Sequence, residues 1–474
     1  MKKVIALVAA AAFVLSMASM ASAAHEGRHQ LQTSGMLQMD LTYTNNESFS
    51  DEKGEKESQT EAHTRLRQYF EYIASENLKA TVGYEIDAVW GNSKAPGGAD
   101  SGDGSNSALA VDTDDFLELK RLNMEFTLPG TETTSKVGIQ WVELPSLALG
   151  SNLVLNGDMP GVTVSTPVTD TANLTFGWLR KYDSVTTSSS SPGYDAFFAA
   201  MPIEQDGFSF DPFAVYSLVG KDAWNGDYTT TTNGTSVEVT RDTNDLEDTA
   251  TMYHVGTGLQ VDTLDPIGMR AGFVYGSLSA DNDENDKAGW LADLAVNYKM
   301  EAMTPEVFGM YTSGDDDDAD DGSERLPTIY NDGLYAVYPS MLFGDPTYLG
   351  IGGDGAAGTA ALGFTPQGIW AAGATLKSIT LTDKLTGTLT AQYVQGTDDE
   401  DAVNKDILGD STLTAEDSAF EVDFAANYKI YEQLSAIMEV GYAKFDYDEK
   451  VGTRDNDYKD DPATRIGVGL LYSF

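Results

Sequence analysis

The chain has 474 residues, 74 acidic against 29 basic for a formal net charge of −45, and no cysteine. That balance argues against a nucleic-acid-binding face, and the missing thiols exclude disulfides, thiolate metal sites and a lipidated cysteine anchor. Mean hydropathy is that of a soluble protein, and beyond the amino-terminal segment no run of about 18 apolar residues predicts a membrane helix.

Met1-Lys2-Lys3 is a short positive segment, residues 4–17 are apolar and Ala-rich, and Ala21-Ser22-Ala23 fits a cleavage site of small residues. Residues 1–23 therefore read as a secretory signal peptide and 24–474 as one mature domain of charge −47, two lysines having been removed. His25-Glu26-Gly27-Arg28-His29 matches the H-E-x-x-H zinc motif. With Gly27 inside it, no helical period after it and no third ligand evident, it does not predict a metalloenzyme. No catalytic constellation stands out elsewhere; His254 and His63 are the remaining histidines.

From residue 31 onward the chain alternates with period 2. In 31–44, Leu37, Met39, Leu41 and Tyr43 oppose Gln38, Asp40 and Thr42. In 78–90, Leu78, Ala80, Val82, Tyr84, Ile86, Ala88 and Trp90 share one face, and Lys79, Thr81, Gly83, Glu85 and Asp87 the other. Such alternation predicts strands, each with one apolar face. The same reading places strands at 31–44, 60–74, 78–90, 115–128, 133–142, 161–167, 171–182, 194–202, 207–219, 249–262, 267–279, 287–300, 303–313, 367–380, 384–396, 416–430, 434–447 and 462–474. Short turns and long connections alternate between them. An all-β, transmembrane antiparallel barrel follows, with eighteen strands counted and sixteen the rival number, because 161–167 is short and 194–202 weakly patterned.

Trp90, Trp178, Tyr253, Trp290, Tyr298, Phe420, Tyr428, Tyr442, Tyr472 and Phe474 fall near strand ends on the apolar face, where interfacial girdles belong. Most of the negative charge falls in the long connections, among them 314–366. The lumen face is two-signed: Arg65, Arg67, Lys79, Arg121, Arg270, Lys299, Lys377 and Arg465 against Glu71, Glu85, Asp87, Glu125, Asp293, Glu421, Asp423 and Glu439. A polar interior of this kind predicts a water-filled channel.

Glu143-Leu144-Pro145-Ser146-Leu147-Ala148-Leu149-Gly150 is too apolar for a solvated loop, so the connection 143–160 is expected to fold into the lumen. There Glu143 and Asp158 would face Arg65, Arg67, Lys79 and Arg121 across a constriction. The alternative is that these bases pair along the wall with Glu71, Glu85 and Asp87. Acidic tips at Asp281, Asp283, Asp316, Asp318 and Asp320 fail the EF-hand spacing and leave only loose calcium binding, or bridging to lipopolysaccharide, in view. No other cofactor is implied.

The closing segment 462–474 sets Ile466, Val468, Leu470, Tyr472 and Phe474 against Arg465, Gly467, Gly469 and Ser473. It looks like the last strand of an outer-membrane barrel, whose final aromatic residue the barrel-insertion machinery reads. Three further segments carry a wider likeness. They are Arg67-Gln68-Tyr69-Phe70-Glu71-Tyr72 with the hairpin after it, Pro145 to Pro167, and Leu174 to Asp183. With these the chain resembles the homotrimeric outer-membrane porins of sulfate-reducing bacteria. That resemblance implies a trimer in the outer membrane, in contact with lipid and lipopolysaccharide, passing small hydrophilic solutes by diffusion. A substrate-specific channel for sugars or oligoanions, or an adhesive barrel acting through its acidic loops, are the other readings.

Overall fold

The first and last strands pair with each other, and that pairing closes the sheet. The computed structural model describes residues 29–45, 58–90, 117–182, 193–220, 228–233, 236–241, 249–281, 283–318, 322–331, 340, 347–349, 367–404, 412–448, 451 and 462–474. Within them lie β1 Gln30–Asn45, β2 Ser58–Ser75, β3 Leu78–Val89, β4 Leu117–Thr127, β5 Thr134–Glu143, β6 Leu155–Thr169 and β7 Ala172–Tyr182. Next come β8 Tyr194–Ala200, β9 Phe208–Val219, β10 Ala250–Leu264, β11 Ile267–Ser279, β12 Lys287–Tyr298 and β13 Thr304–Thr312. The wall ends with β14 Ile369–Thr382, β15 Leu385–Gly396, β16 Ser418–Lys429, β17 Leu434–Asp446 and β18 Ala463–Ser473. Each pairs antiparallel with its neighbours, making a closed barrel of 18 strands. β8 resumes over Ile203–Gln205 after Met201-Pro202; Pro202 has no N–H for the ladder, which explains both the break and the weak pattern there.

The closing seam shows how alternation becomes a wall. Met39 lies opposite Leu470, Leu41 opposite Val468 and Tyr43 opposite Ile466, and all six are exposed. Between them, Asp40, Thr42, Thr44 and Arg465 are buried on the inner side. A one-residue slip would exchange the two faces, so the apolar band pins the register. Every aromatic residue expected in the girdles is exposed.

Two expectations need correcting. β6 begins at Leu155, not 161, because residues 153–157 are buried on both faces and show no alternation. The inward loop therefore shrinks to 144–154, and Asp158 becomes a wall residue. The long connection between β13 and β14, expected outside, keeps Asp316 to Asp318 exposed but buries Leu326, Ile329, Ser340 and Leu349 against the inner wall. Leu326 and Ile329 join Leu144, Leu147, Leu149 and residues 153–155 in one apolar cluster. That cluster packs on Leu179, Phe198, Val215, Met252, Val274, Leu278 and Leu291 of the wall.

Candidate functional site

The inner faces of β2 to β6 carry a ladder of paired charges. Arg65 donates from Nε to Asp87 Oδ1 and from Nη2 to Asp87 Oδ2, both at 2.7 Å. Arg67 pairs with Glu85. Lys120 Nζ stands 3.5 Å from Glu85 Oε1, 2.9 Å from Glu118 Oε2 and 3.7 Å from Asp158 Oδ2. Lys79 Nζ lies 3.6 Å from Glu71 Oε1 and 3.5 Å from Glu125 Oε1, and Lys136 Nζ reaches Glu125 Oε2 at 3.0 Å. Arg121 pairs with Asp158, and its guanidinium carbon lies 5.8 Å from the Tyr69 ring centre and 5.4 Å from that of Trp141. Base and acid alternate along the wall, so no single sign accumulates there.

A bulge explains one member of this ladder that strand parity misses. Gly83 pairs with Arg121 but Tyr84 pairs with Leu119, leaving Lys120 as the extra residue. Bulges re-aim side chains, and here Lys120 joins Arg121 on Asp158. Gly83 has its own reason: a Cβ there would collide with the Tyr69 ring. Glu143 ends β5 at the loop's mouth, exposed, and accepts hydrogen bonds from Ser146 Oγ at 3.3 Å and Trp141 Nε1 at 3.4 Å. So Arg65, Arg67, Lys79, Arg121 and Asp158 are gathered on one wall rather than across a gap.

Two loops cross the lumen, and wall carboxylates hold them. Asp293 on β12 accepts the amides of Ala148 at 3.1 Å and Leu149 at 2.9 Å. Directly across the ladder, Gly272 leaves room for Leu147; a Cβ at Gly272 would press on the Leu147 backbone. The longer loop runs from β13 past β11 and β10, where His254 Nε2 donates to Pro327 O at 2.7 Å. Ile329 N then donates to Val154 O at 2.9 Å, and Tyr330–Asn331 pairs in parallel with Leu155 and Asn156. On the far side Ser340 Oγ donates to Glu421 Oε2 at 2.6 Å, and Glu439 accepts the amides of Tyr348 at 2.8 Å and Leu349 at 3.0 Å. The two loops are thus joined by backbone pairing into one partition.

At its outer edge the partition is tied to the next loop. Asp398 accepts from Arg325 Nε at 2.8 Å and Nη2 at 2.5 Å, and from the Asp315 amide at 2.7 Å. Burial pushes the Asp398 carboxyl above its ordinary range in spite of Arg325. Glu324 is likewise raised, first by burial and then by Asp315 and Asp316 beside it.

Among the described residues no three His, Asp or Glu side chains gather as a metal site. Asp281, Asp283, Asp316 and Asp318 are exposed, and Asp320 lies outside the described residues. His25 and Glu26 also lie outside them, while His29 stacks on Tyr72 at 5.8 Å between ring centres.

No protein-family model matches the chain, and no curated protein sequence does. Solved structures do. A form of OccD1 (OprD) carrying two substitutions aligns at TM-score 0.52 and 12% identity, over 95% of this chain and 97% of that one. OprD of Pseudomonas aeruginosa aligns at 0.50 and 12%, over 94% and 95%. OpdQ of the same organism aligns at 0.50 and 12%, over 94% and 98%. At such identity the likeness is one of architecture: the chain shares with these structures a closed antiparallel β-barrel.

Proposed function

We propose that this chain forms a passive diffusion channel in the bacterial outer membrane, passing ions and small hydrophilic solutes through water. The observation that carries this is the division of the lumen. A joined two-loop partition covers the apolar inner wall of β7 to β13, while the charge ladder of β2 to β6 remains polar. Arg65, Arg67, Lys79, Arg121, Glu143 and Asp158 then line or border the remaining passage. Alternating signs lower the barrier for either ion without a deep trap, because each passing charge meets a partner at every step.

The adhesive reading loses ground, since Leu326, Ile329, Ser340 and Leu349 of the long acidic loop are buried against the inner wall and only its aspartates 316–318 stand exposed among the described residues. A homotrimer, as in the porins the sequence resembles, is the assembly proposed, set in lipid and lipopolysaccharide after removal of residues 1–23. Single-channel current in planar bilayers tests the function. Conductance rising in groups of three steps supports an open trimer. Silence from folded protein would reject the channel.

A further inference from the structure

Strand parity puts Trp178 and Arg180 of β7, with Asp195 and Phe197 of β8, on the outer face of the barrel. Leu179, Ala196 and Phe198 between them are buried inside, whereas Trp178 and Phe197 are exposed. Trp178 stands opposite Phe197 in the ladder, and Arg180 opposite Asp195 one step nearer the loop end. Arg180 donates from Nε to Asp195 Oδ1 and from Nη2 to Asp195 Oδ2, both at 2.9 Å. Trp178 Nε1 donates to the same Oδ1 at 3.0 Å, and the guanidinium carbon lies 5.5 Å from the Trp178 ring centre. A fixed ion pair therefore faces outward, on the surface that carries the apolar band.

Pairing of the strands does not call for charge at that step, since Trp178 and Phe197 make the step below without any. Charge turned towards hydrocarbon is costly, so its depth decides its use. Arg180 lies two residues, about 6.8 Å of strand, beyond Trp178 on the way to the connection with β8. Tryptophan belts sit at the membrane interface, and the layer just beyond a belt is that of the lipid headgroups. Asp195 grips the guanidinium along one edge and so turns the opposite edge away from itself. The Arg180 side chain keeps 38% of its surface exposed. A planar fork of N–H donors matches the oxygens of a phosphate. Most of the negative charge lies in the long connections, which repel a phosphate nearing the rim. An oriented cation on the outer face below them gives it a place to land.

We propose that Arg180, held by Asp195 and Trp178, binds a phosphate group of an outer-leaflet lipid. The inference rests on the outer-membrane reading and names one lipid contact of the barrel. The phosphate accepts hydrogen bonds from the exposed edge of the guanidinium, and the acyl chains run past Trp178 and Phe197. Asp195 and Trp178 act as positioning residues.

The test uses full-length protein refolded in detergent as wild type, Arg180→Gln, Arg180→Lys and Lys444→Gln, with heat-modifiable mobility as the check on folding. Lys444 is an exposed cation on the outer face of β17, next to buried Phe445, and serves as the control. The probes are diphosphoryl lipid A, its dephosphorylated form and inorganic phosphate, with bound lipid per barrel read by native mass spectrometry. Wild type is expected to prefer the diphosphoryl lipid. Arg180→Gln should lose about tenfold in affinity for it, the worth of one charge-assisted contact. Arg180→Lys, which keeps the charge without the fork, should lose about threefold, and Lys444→Gln should match wild type. Equal affinity in wild type and the folded Arg180 variants overturns the proposal, as does equal binding of the dephosphorylated lipid. Should Arg180→Gln fail to fold, wild-type affinity in Arg180→Lys overturns it alone. Displacement by inorganic phosphate at the concentration of the lipid makes this a free-anion site and overturns the lipid. Weakened self-association in Arg180→Gln with unchanged lipid binding assigns the pair to a subunit contact and overturns it too. A wild-type barrel that binds the lipid but carries no current keeps the site and overturns the diffusion channel.

Discussion

Gly272 stands directly across the strand ladder from Asp293, and the pair makes a place on the wall where a loop from between β5 and β6 can land. One residue removes its side chain and the other extends two acceptors into the space. Gly272→Ala would press a Cβ against the Leu147 backbone, and Asp293→Asn would leave one amide without an acceptor, at a cost of about 1–3 kcal/mol. Since the chain has no cysteine, Ala148→Cys supplies a unique thiol. Its labelling by a small maleimide should be slow in the otherwise wild-type barrel and at least about fivefold faster with either substitution, as that free energy implies.

The charge ladder makes a second expectation. Removing Arg65 takes the bidentate partner from Asp87, and removing Arg121 leaves Asp158 with Lys120 alone, so the wall gains net negative charge in both cases. Arg65→Ala/Arg121→Ala should move the reversal potential under a KCl gradient toward cation preference. Asp87→Asn should move it the other way, and equal potentials for all three forms would place the ladder away from the ion path.

Acidity should tighten the outer edge of the partition. Asp398 and Glu324 both titrate above their ordinary ranges because burial disfavours their charged forms. In the window between the unfolded and the raised values, the folded loops bind more protons than the unfolded ones. The associated stability is therefore fully present below the ordinary carboxylate range and is lost as pH rises through the raised values. Amide exchange in 313–331, corrected for intrinsic rate, should slow on acidification from neutral pH. Asp398→Asn should flatten that response, whereas an unchanged profile would show that Arg325 keeps Asp398 ionised throughout.

At the seam, Phe474 exchanges backbone hydrogen bonds with Gly35, at 2.9 and 3.1 Å, and its ring stacks on Tyr472 at 5.3 Å. Phe474→Ala keeps the backbone pair and removes the ring. The folded fraction after refolding into detergent or lipid should fall, read as loss of the fast-migrating band on unheated gels, with Tyr472→Ala giving a smaller loss.

Most of the wall was legible because each strand carries its own alternation, a local property that needs no knowledge of neighbours. Even 194–202, broken by Pro202, and the outline of the inward loop at Leu144, Leu147 and Leu149 could be read in this way. Asp158 could not, since the residues before it are buried on both faces and lack a period. Lys120 escaped because a bulge reverses parity by one residue. The long loop was misplaced for a different reason: its run of aspartates at 315–318 signals solvent, while the buried apolar residues further on, Leu326, Ile329 and Leu349, follow no strand period. Glu439 and Asp293 were readable as lumen-facing acids. Their partners, 90 and 144 residues away in the chain, were not.

The pairing of β1 with β18 also governs the order in which the molecule can form. Every hairpin before it joins near neighbours, whereas this ladder joins the two ends of the described chain and carries the greatest loop-closure entropy. Until it zips, two strands present bare edges studded with Leu41, Tyr43, Val468 and Leu470, an arrangement that invites pairing with other chains. The unclosed protein is thus its own most hazardous form. Wherever the unclosed chain meets water, those two edges need shielding together, and they are safely freed only where lipid can take the apolar band.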